Sequence, residues 1–280
     1  MLRKLSISVL LAFNVSLIYS FIVNYPVSQP RPADKTQCTT NPPRYIFPLV
    51  NLKNSTVSNA VVIDNKAGLL IAMAHAVING NAEISDELFI QAENSPPFFL
   101  AADTKEGWVD RHNDLAIIKT HLAEANLSAE NGLLPSDVAI GEYVAATGFI
   151  PYLDEAAGVE NLFYSYCINA KVIKTNAGAC IYPILLRCTR WYLFNFYKLA
   201  GWEWPKNETA RISNNYTHIS RYAGNQDFRG GMSGSPATNE SGKIIGFISG
   251  ITRAQAILSS AASAEKLLIK VKDELNSDKK

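Results

Sequence analysis

The sequence lacks most of the marks by which cofactor and metal enzymes are read. No glycine-rich nucleotide loop occurs, there is no HExxH, and none of the four cysteines (Cys38, Cys167, Cys180 and Cys188) has CxxC spacing. No cofactor and no metal is therefore expected. No cysteine sits in a glycine-rich elbow either, which weakens a cysteine-peptidase reading. Charge of one sign is also missing: the formal net charge is +1, and Lys and Arg form no stripe or long run. Such a surface has no broad field to attract phosphate backbones, so nucleic acid is not an expected partner. With no internal repeat, the 280 residues read as an ordinary globular chain with ample material for one large domain or two small ones.

One long apolar run is present, and it stands at the N-terminus. Arg3 and Lys4 precede LSISVLLAFNVSLIYSFIV, Leu5 to Val23, and the Pro-containing segment NYPVSQPRPADKTQ follows. The basic flank and the Pro-rich exit point to an export signal over residues 1–23, with 24–44 as linker. An apolar length of about 19 residues lies between a signal-peptide core and a spanning helix of about 20. A cleaved signal peptide and an uncleaved membrane tether through residues 5–23 both fit. Either way the domain is expected outside the cytoplasm: secreted, periplasmic or membrane-anchored. The four cysteines then allow two disulfides. Cys180 and Cys188 are placed to close a short loop, which leaves Cys38 and Cys167 to pair or stay free.

From about Tyr45 the chain runs in short β-branched and aromatic stretches broken by Gly, Asn, Asp and Pro, the pattern of an all-β sandwich or barrel. The expected strands are VSNAVVID, GLLIAMA, ELFIQAE, FFLAAD, LAIIKT, YVAATGFI, LFYSYCINAKVIKT, THISRYAG and KIIGFISGIT. One helix is expected at the tail, over AEKLLIKVKDEL, with Ser263 as its cap and Leu267, Leu268 and Val271 as apolar positions. The polar stretch Leu122 to Ser136 reads as a link between two β units, and residues 178–205 form an aromatic-rich insert. That insert fits either a packed loop or a docking surface.

The chemistry lies in three short segments. Serine attacks a carbonyl at neutral pH only with an adjacent base, commonly a histidine whose tautomer a carboxylate fixes, and with amides aimed at the developing oxyanion. RGGMSGSP, Arg229 to Pro236, sets Ser233 among small residues, with Gly231 before it to permit a tight turn. GLLIAMAHAV ends an apolar run on His75, and RHNDLAIIKT places Asp114 just ahead of another. Each alone reads equally well as a loop, edge or cap residue. Together, in the order His, Asp, Ser and each at a strand border, they point to a hydrolytic triad. All four histidines (His75, His112, His121 and His218) precede Ser233, which excludes the chain order of an α/β-hydrolase.

AMAHAV, NDLAII and GMSGSP resemble the Ala-Ala-His, Asp-Leu-Ala and Gly-x-Ser-Gly-Gly-Pro motifs of the trypsin and chymotrypsin-like serine peptidases, over about Val57 to Thr252, with Ser235 in place of the last glycine. The resemblance implies His75 as general base, Asp114 as its orienter, Ser233 as nucleophile, and the amides of Gly231 and Ser233 as oxyanion hole. It implies two Greek-key β-barrels with a C-terminal α-helix: barrel one at about 45–125, barrel two and the helix at about 137–280, together a peptidase domain over 45–280. The implied partner is a protein or peptide substrate. Met232 stands where zymogen-activated members carry aspartate, and no Ile-Val-Gly-Gly start is present, so the similarity is closer to bacterial and viral-type members that fold directly into an active form.

For specificity, Asp227 matches the pocket-floor position that selects Arg or Lys in trypsin-like members, though in polar GNQDFRGG it also reads as a solvated loop residue. Ser249 and Gly250, in GFISGI, resemble the pocket-wall strand. A peptidase-like domain that only binds is the competing class. Such modules usually lack a triad residue, and here all three positions are filled.

Overall fold

The computed structural model describes residues 38, 45–79, 83–90, 98–100, 108–120, 133, 138–151, 163–181, 211–222 and 226–277, and at 98–100, 178–181 and 211–215 the backbone alone. The expected export segment 1–23, the linker 24–44 apart from Cys38, the link 122–136 apart from Leu133, and the aromatic insert beyond Ile181 lie outside these residues. So does the expected Cys180–Cys188 pairing.

Seven strands build the first sheet: β1 (Ile46–Asn51), β2 (Thr56–Asp64), β3 (Leu69–Met73), β4 (Leu88–Ile90), β5 (Phe98–Leu100), β6 (Val109–Asp110) and β7 (Leu115–Lys119), with a one-turn helix α1 (Ala74–Val77) after β3. Their order is β5-β4-β1-β2-β3-β7-β6, and every described ladder is antiparallel. β3, LLIAM, is buried at every residue, and β7, LAIIK, at all but Lys119. Both are continuous apolar runs because side chains on each face meet packed neighbours instead of water.

Six further strands close into a barrel: β8 (Tyr143–Pro151), β9 (Phe163–Ile181), β10 (Arg211–Arg221), β11 (Pro236–Asn239), β12 (Ile244–Ile251) and β13 (Gln255–Ser260), in the order β10-β13-β12-β11-β8-β9. Its core gathers Val144, Ala146, Ile150, Ile168, Val172, Ile219, Met232, Ile245, Ile248 and Leu258. A disulfide joins Cys38, ahead of the first sheet, to Cys167 on β9 across a sequence separation of 129.

The chain ends in helix α2 (Ala261–Ser277), which packs back onto the first sheet. Ala264, Leu267 and Val271 lie in the same core cluster as Leu70, Ile118 and Trp108. Burying a Leu or Val there contributes about 1.5–3 kcal/mol relative to exposure. Two polar contacts fix the helix: Trp108 Nε1 donates to Glu274 Oε2 (3.0 Å), and Lys272 Nζ meets Asp64 Oδ2 at 2.5 Å. The helix starts two residues ahead of the expected Ser263 cap. Ser260 is the capping hydroxyl, accepting the Ser263 N–H at 3.2 Å.

The fold is all-β with one substantial helix, as expected, but four strands went unread. β6 and β11 are too short to show a period, β13 is only six residues long, and β1 carries Pro48 at its centre. Pro48 is tolerated toward β2 because it faces Asn59 as a non-hydrogen-bonded pair: the Asn59 N–H turns away from β1 to Ser233 O, so this rung of the ladder asks for no N–H from Pro48. β9 continues to Ile181, into the start of the insert, and pairs there with Arg211, so β10 begins six residues before the expected THISRYAG.

Candidate active site

His75 stands where β3 gives way to α1. The strand ends at Met73 because the next N–H, of Ala74, donates to Asp114 O (3.1 Å) and that of His75 to Asp114 Oδ1 (2.9 Å). The same residue therefore fixes the backbone and the ring: His75 Nδ1 lies 2.6 Å from Asp114 Oδ2. With a carboxylate on Nδ1, the proton sits there and Nε2 is left with its lone pair. Nε2 points at Ser233 Oγ, 3.2 Å away.

Asp114 ends a turn tied by Asp110, whose carboxylate accepts the N–H groups of His112 (3.0 Å) and Asn113 (3.1 Å) and the Asn113 side-chain amide (2.6 Å). Its φ of 56° is left-handed, a conformation that aspartate adopts more readily than most residues. The barrel holds this turn from the other side. Tyr216 Oη donates to His112 O (3.2 Å), Ser259 Oγ to Asn113 O (2.6 Å), and Ser249 Oγ to Asp114 Oδ2 (2.5 Å). Burial pushes the Asp114 carboxyl up, but the charge of His75 and the hydrogen bonds from His75 and Ser249 outweigh it and hold the group below its ordinary value of 3.8.

Ser233 sits on a tight loop between Phe228 and β11. Phe228 and Met232 are both buried in the barrel core and anchor the loop. Gly231 has φ 92° and Gly234 φ 81°. A Cβ at Gly234 would lie 1.9 Å from Asn59 O, so this loop presses on β2 as closely as backbone allows. Gly234 N–H donates to Ile248 O (2.7 Å) and Ile248 N–H to Ser235 O (2.9 Å), while Asn59 N–H donates to Ser233 O (2.6 Å). The N–H groups of Gly231 and Ser233 donate to no acceptor among the described residues.

His75 thus stands within hydrogen-bond reach of both Asp114 and Ser233. The expected specificity residues are placed as follows. Asp227 is not a buried, waiting carboxylate: its side chain is 43% exposed and pairs with Arg221 Nε at 3.1 Å. Ser249, expected along a pocket wall, is buried with its hydroxyl on Asp114. Gly250 follows it at a register shift of β12, paired with Ile257 of β13. Tyr166 Oη donates to Asp227 O (2.7 Å), and Arg229 reaches Tyr164 Oη (3.1 Å), so aromatic side chains of β9 brace this approach to the loop. Sequence reasoning missed the parts of Tyr216, Ser259 and Asn59. Only Asn59 carried a signal, as a polar residue inside the otherwise apolar half of VSNAVVID.

No family model matches the sequence, and a search of curated proteins finds no match. Solved structures do match. The Rv3671c protease from M. tuberculosis in its active form superimposes with a TM-score of 0.56 at 16% identity, covering 88% of this chain and 89% of that one. A mutant of the same protein in its inactive form gives 0.53 at 18% identity, covering 88% and 98%. At such identities the likeness speaks for architecture alone: the seven-stranded sheet, the closed six-stranded barrel and the C-terminal helix are consistent with a two-barrel, trypsin-like fold.

Proposed function

We propose that this chain is a serine endopeptidase working through an acyl-enzyme. The observation that carries the reading is one continuous hydrogen-bond chain, from Ser233 Oγ to His75 Nε2 (3.2 Å) and from His75 Nδ1 to Asp114 Oδ2 (2.6 Å), beside two N–H groups with no acceptor among the described residues. His75 Nε2 takes the hydroxyl proton as Ser233 Oγ adds to a peptide carbonyl. Asp114 keeps the other ring proton on Nδ1 and stabilises the imidazolium. The carbonyl oxygen, now an oxyanion, accepts from Gly231 N–H and Ser233 N–H. His75 then delivers its proton to the departing amine, and water, deprotonated by His75 in turn, releases the acyl group from Ser233. The substrate is an extended peptide lying beside β12 near Gly250. With Asp227 already paired to Arg221, basic side chains are not its favoured anchor. The Cys38–Cys167 disulfide supports a working place outside the cytoplasm.

A fluorophosphonate probe with mass-spectrometric mapping tests the reading. Ser233 becomes labelled, labelling vanishes in Ser233→Ala, and it falls by orders of magnitude in His75→Ala while both variants stay folded. A folded wild-type protein that never labels refutes the enzyme and leaves a binding module.

A further inference from the structure

Asn59 lies on β2 and is fully buried, yet its side chain makes three hydrogen bonds at the junction between the first sheet and the barrel. Its Nδ2 donates to Gly231 O (2.8 Å) and to Phe149 O (3.0 Å), and its Oδ1 accepts the Phe149 N–H (2.7 Å). Both donors and the acceptor of the carboxamide are thus satisfied. The main-chain N–H of the same residue donates to Ser233 O at 2.6 Å. The β2–β3 pairing ends at Val61–Ile71, two residues short of Asn59, and beyond it the Ser233 loop bonds the edge of β2.

From this geometry we infer that the Asn59 side chain is a positioning residue for the oxyanion site, an inference that rests on the serine-peptidase reading above. In the stretch Gly231–Ser233 two carbonyls, of Gly231 and Ser233, are drawn inward onto Asn59, and the two N–H groups of the same residues are left without acceptors among the described residues. Gly231, with φ 92°, has no side chain to hold it, so the peptides on either side of it rotate readily unless something grips the carbonyl. The Asn59 amide is that grip. Its two bonds to Phe149 lock its own rotamer, so β8 and the nucleophile loop are set against each other through one planar group in a site that excludes water. Asn59 touches no reacting atom and acts through the loop. A displacement of about 1 Å in such a donor costs on the order of 100-fold in rate.

The test compares fluorophosphonate labelling of the full chain with that of Asn59→Ser, which keeps the main-chain bond and removes the amide. The rate is resolved into probe affinity and maximal inactivation rate. Expected is a roughly 10- to 100-fold fall in the maximal rate, probe affinity within about threefold, and an unchanged pH profile, since His75 and Asp114 are untouched. Leu70→Ala, a core loss on β3, serves as the destabilised control and labels at the wild-type maximal rate. Asn59→Asp, which keeps the acceptor for Phe149 and loses both donors, repeats the measurement and gives the same fall. A maximal rate within twofold of wild type in a folded Asn59 variant overturns the inference, as does an equal fall in the control. Failure of both Asn59 variants to fold also overturns it, in favour of a purely structural part. A wild-type chain that does not label defeats the peptidase reading itself, an outcome separate from all of these.

Discussion

Replacing Ser249 with Ala removes one hydrogen bond to a buried charge and nothing else. Asp114 is 1% exposed and accepts Ser249 Oγ at 2.5 Å, His75 Nδ1 at 2.6 Å and the His75 N–H at 2.9 Å. A hydrogen bond to an ionised acceptor contributes about 1.5–3 kcal/mol, and the space left by one hydroxyl gives water no route to replace it. For a chain of this size a loss of about 2 kcal/mol lowers Tm by about 4–8 °C. The pH dependence is the sharper signature. Burial raises the Asp114 carboxyl, and the His75 charge and the hydrogen bonds bring it below 3.8. A depressed carboxyl stabilises the fold above its unfolded pKa, and that share is lost as pH falls through the folded one. Ser249→Ala moves the folded value upward, so the variant begins to lose stability at higher pH than the wild type. The gap between the two is full at pH 7 and shrinks once the carboxyl is protonated in both. Urea unfolding at pH 7 and at stepped acid pH measures it. A gap under about 0.5 kcal/mol at pH 7, or one that stays constant into acid, refutes the reasoning.

Two further outcomes follow from contacts away from the reacting atoms. Lys272→Met unpairs Asp64, whose carboxyl burial raises but whose hydrogen bond and charge contact with Lys272 and bonds to Ala67 and Lys66 lower overall. Because Lys272 is 44% exposed, the cost at pH 7 is about 0.5–1 kcal/mol; it is present above pH 3.8 and fades below it, read by the same unfolding curves. Replacing Cys38 and Cys167 together by Ser frees a loop of 129 residues and lowers stability by about 2–5 kcal/mol; equal midpoints for oxidised wild type and the double variant would contradict this.

The positions of His75, Asp114 and Ser233 stood out in the sequence because each borders a strand, and strand borders are marked by the change between an apolar run and glycine or aspartate. His75 after LLIAMA and Asp114 before LAIIKT are such borders. What supports them was not legible, because support comes from the other half of the chain. Ser249 reaches Asp114 across 135 positions, and Ser259 reaches Asn113 across 146. Nothing local distinguishes these serines from others on half-buried strands. β1 hid behind Pro48, whose missing N–H usually argues against a strand and here costs nothing because Asn59 bonds elsewhere. Asp227 shows the same limit: its place six residues before Ser233 could be counted in the sequence, but the cation it meets, Arg221, lies on a strand whose register no short motif reports.

The sulfur link between Cys38 and Cys167 also changes what a nick in the backbone can accomplish. Any single cut between those two positions, whether in the approach to β1 or in the crossing between the sheet and the barrel, yields two pieces that remain one covalent molecule until a reductant arrives. After such a cut, whatever lies upstream of Cys38 stays leashed to the half that carries Ser233, and separating the two requires thiol chemistry as well as proteolysis.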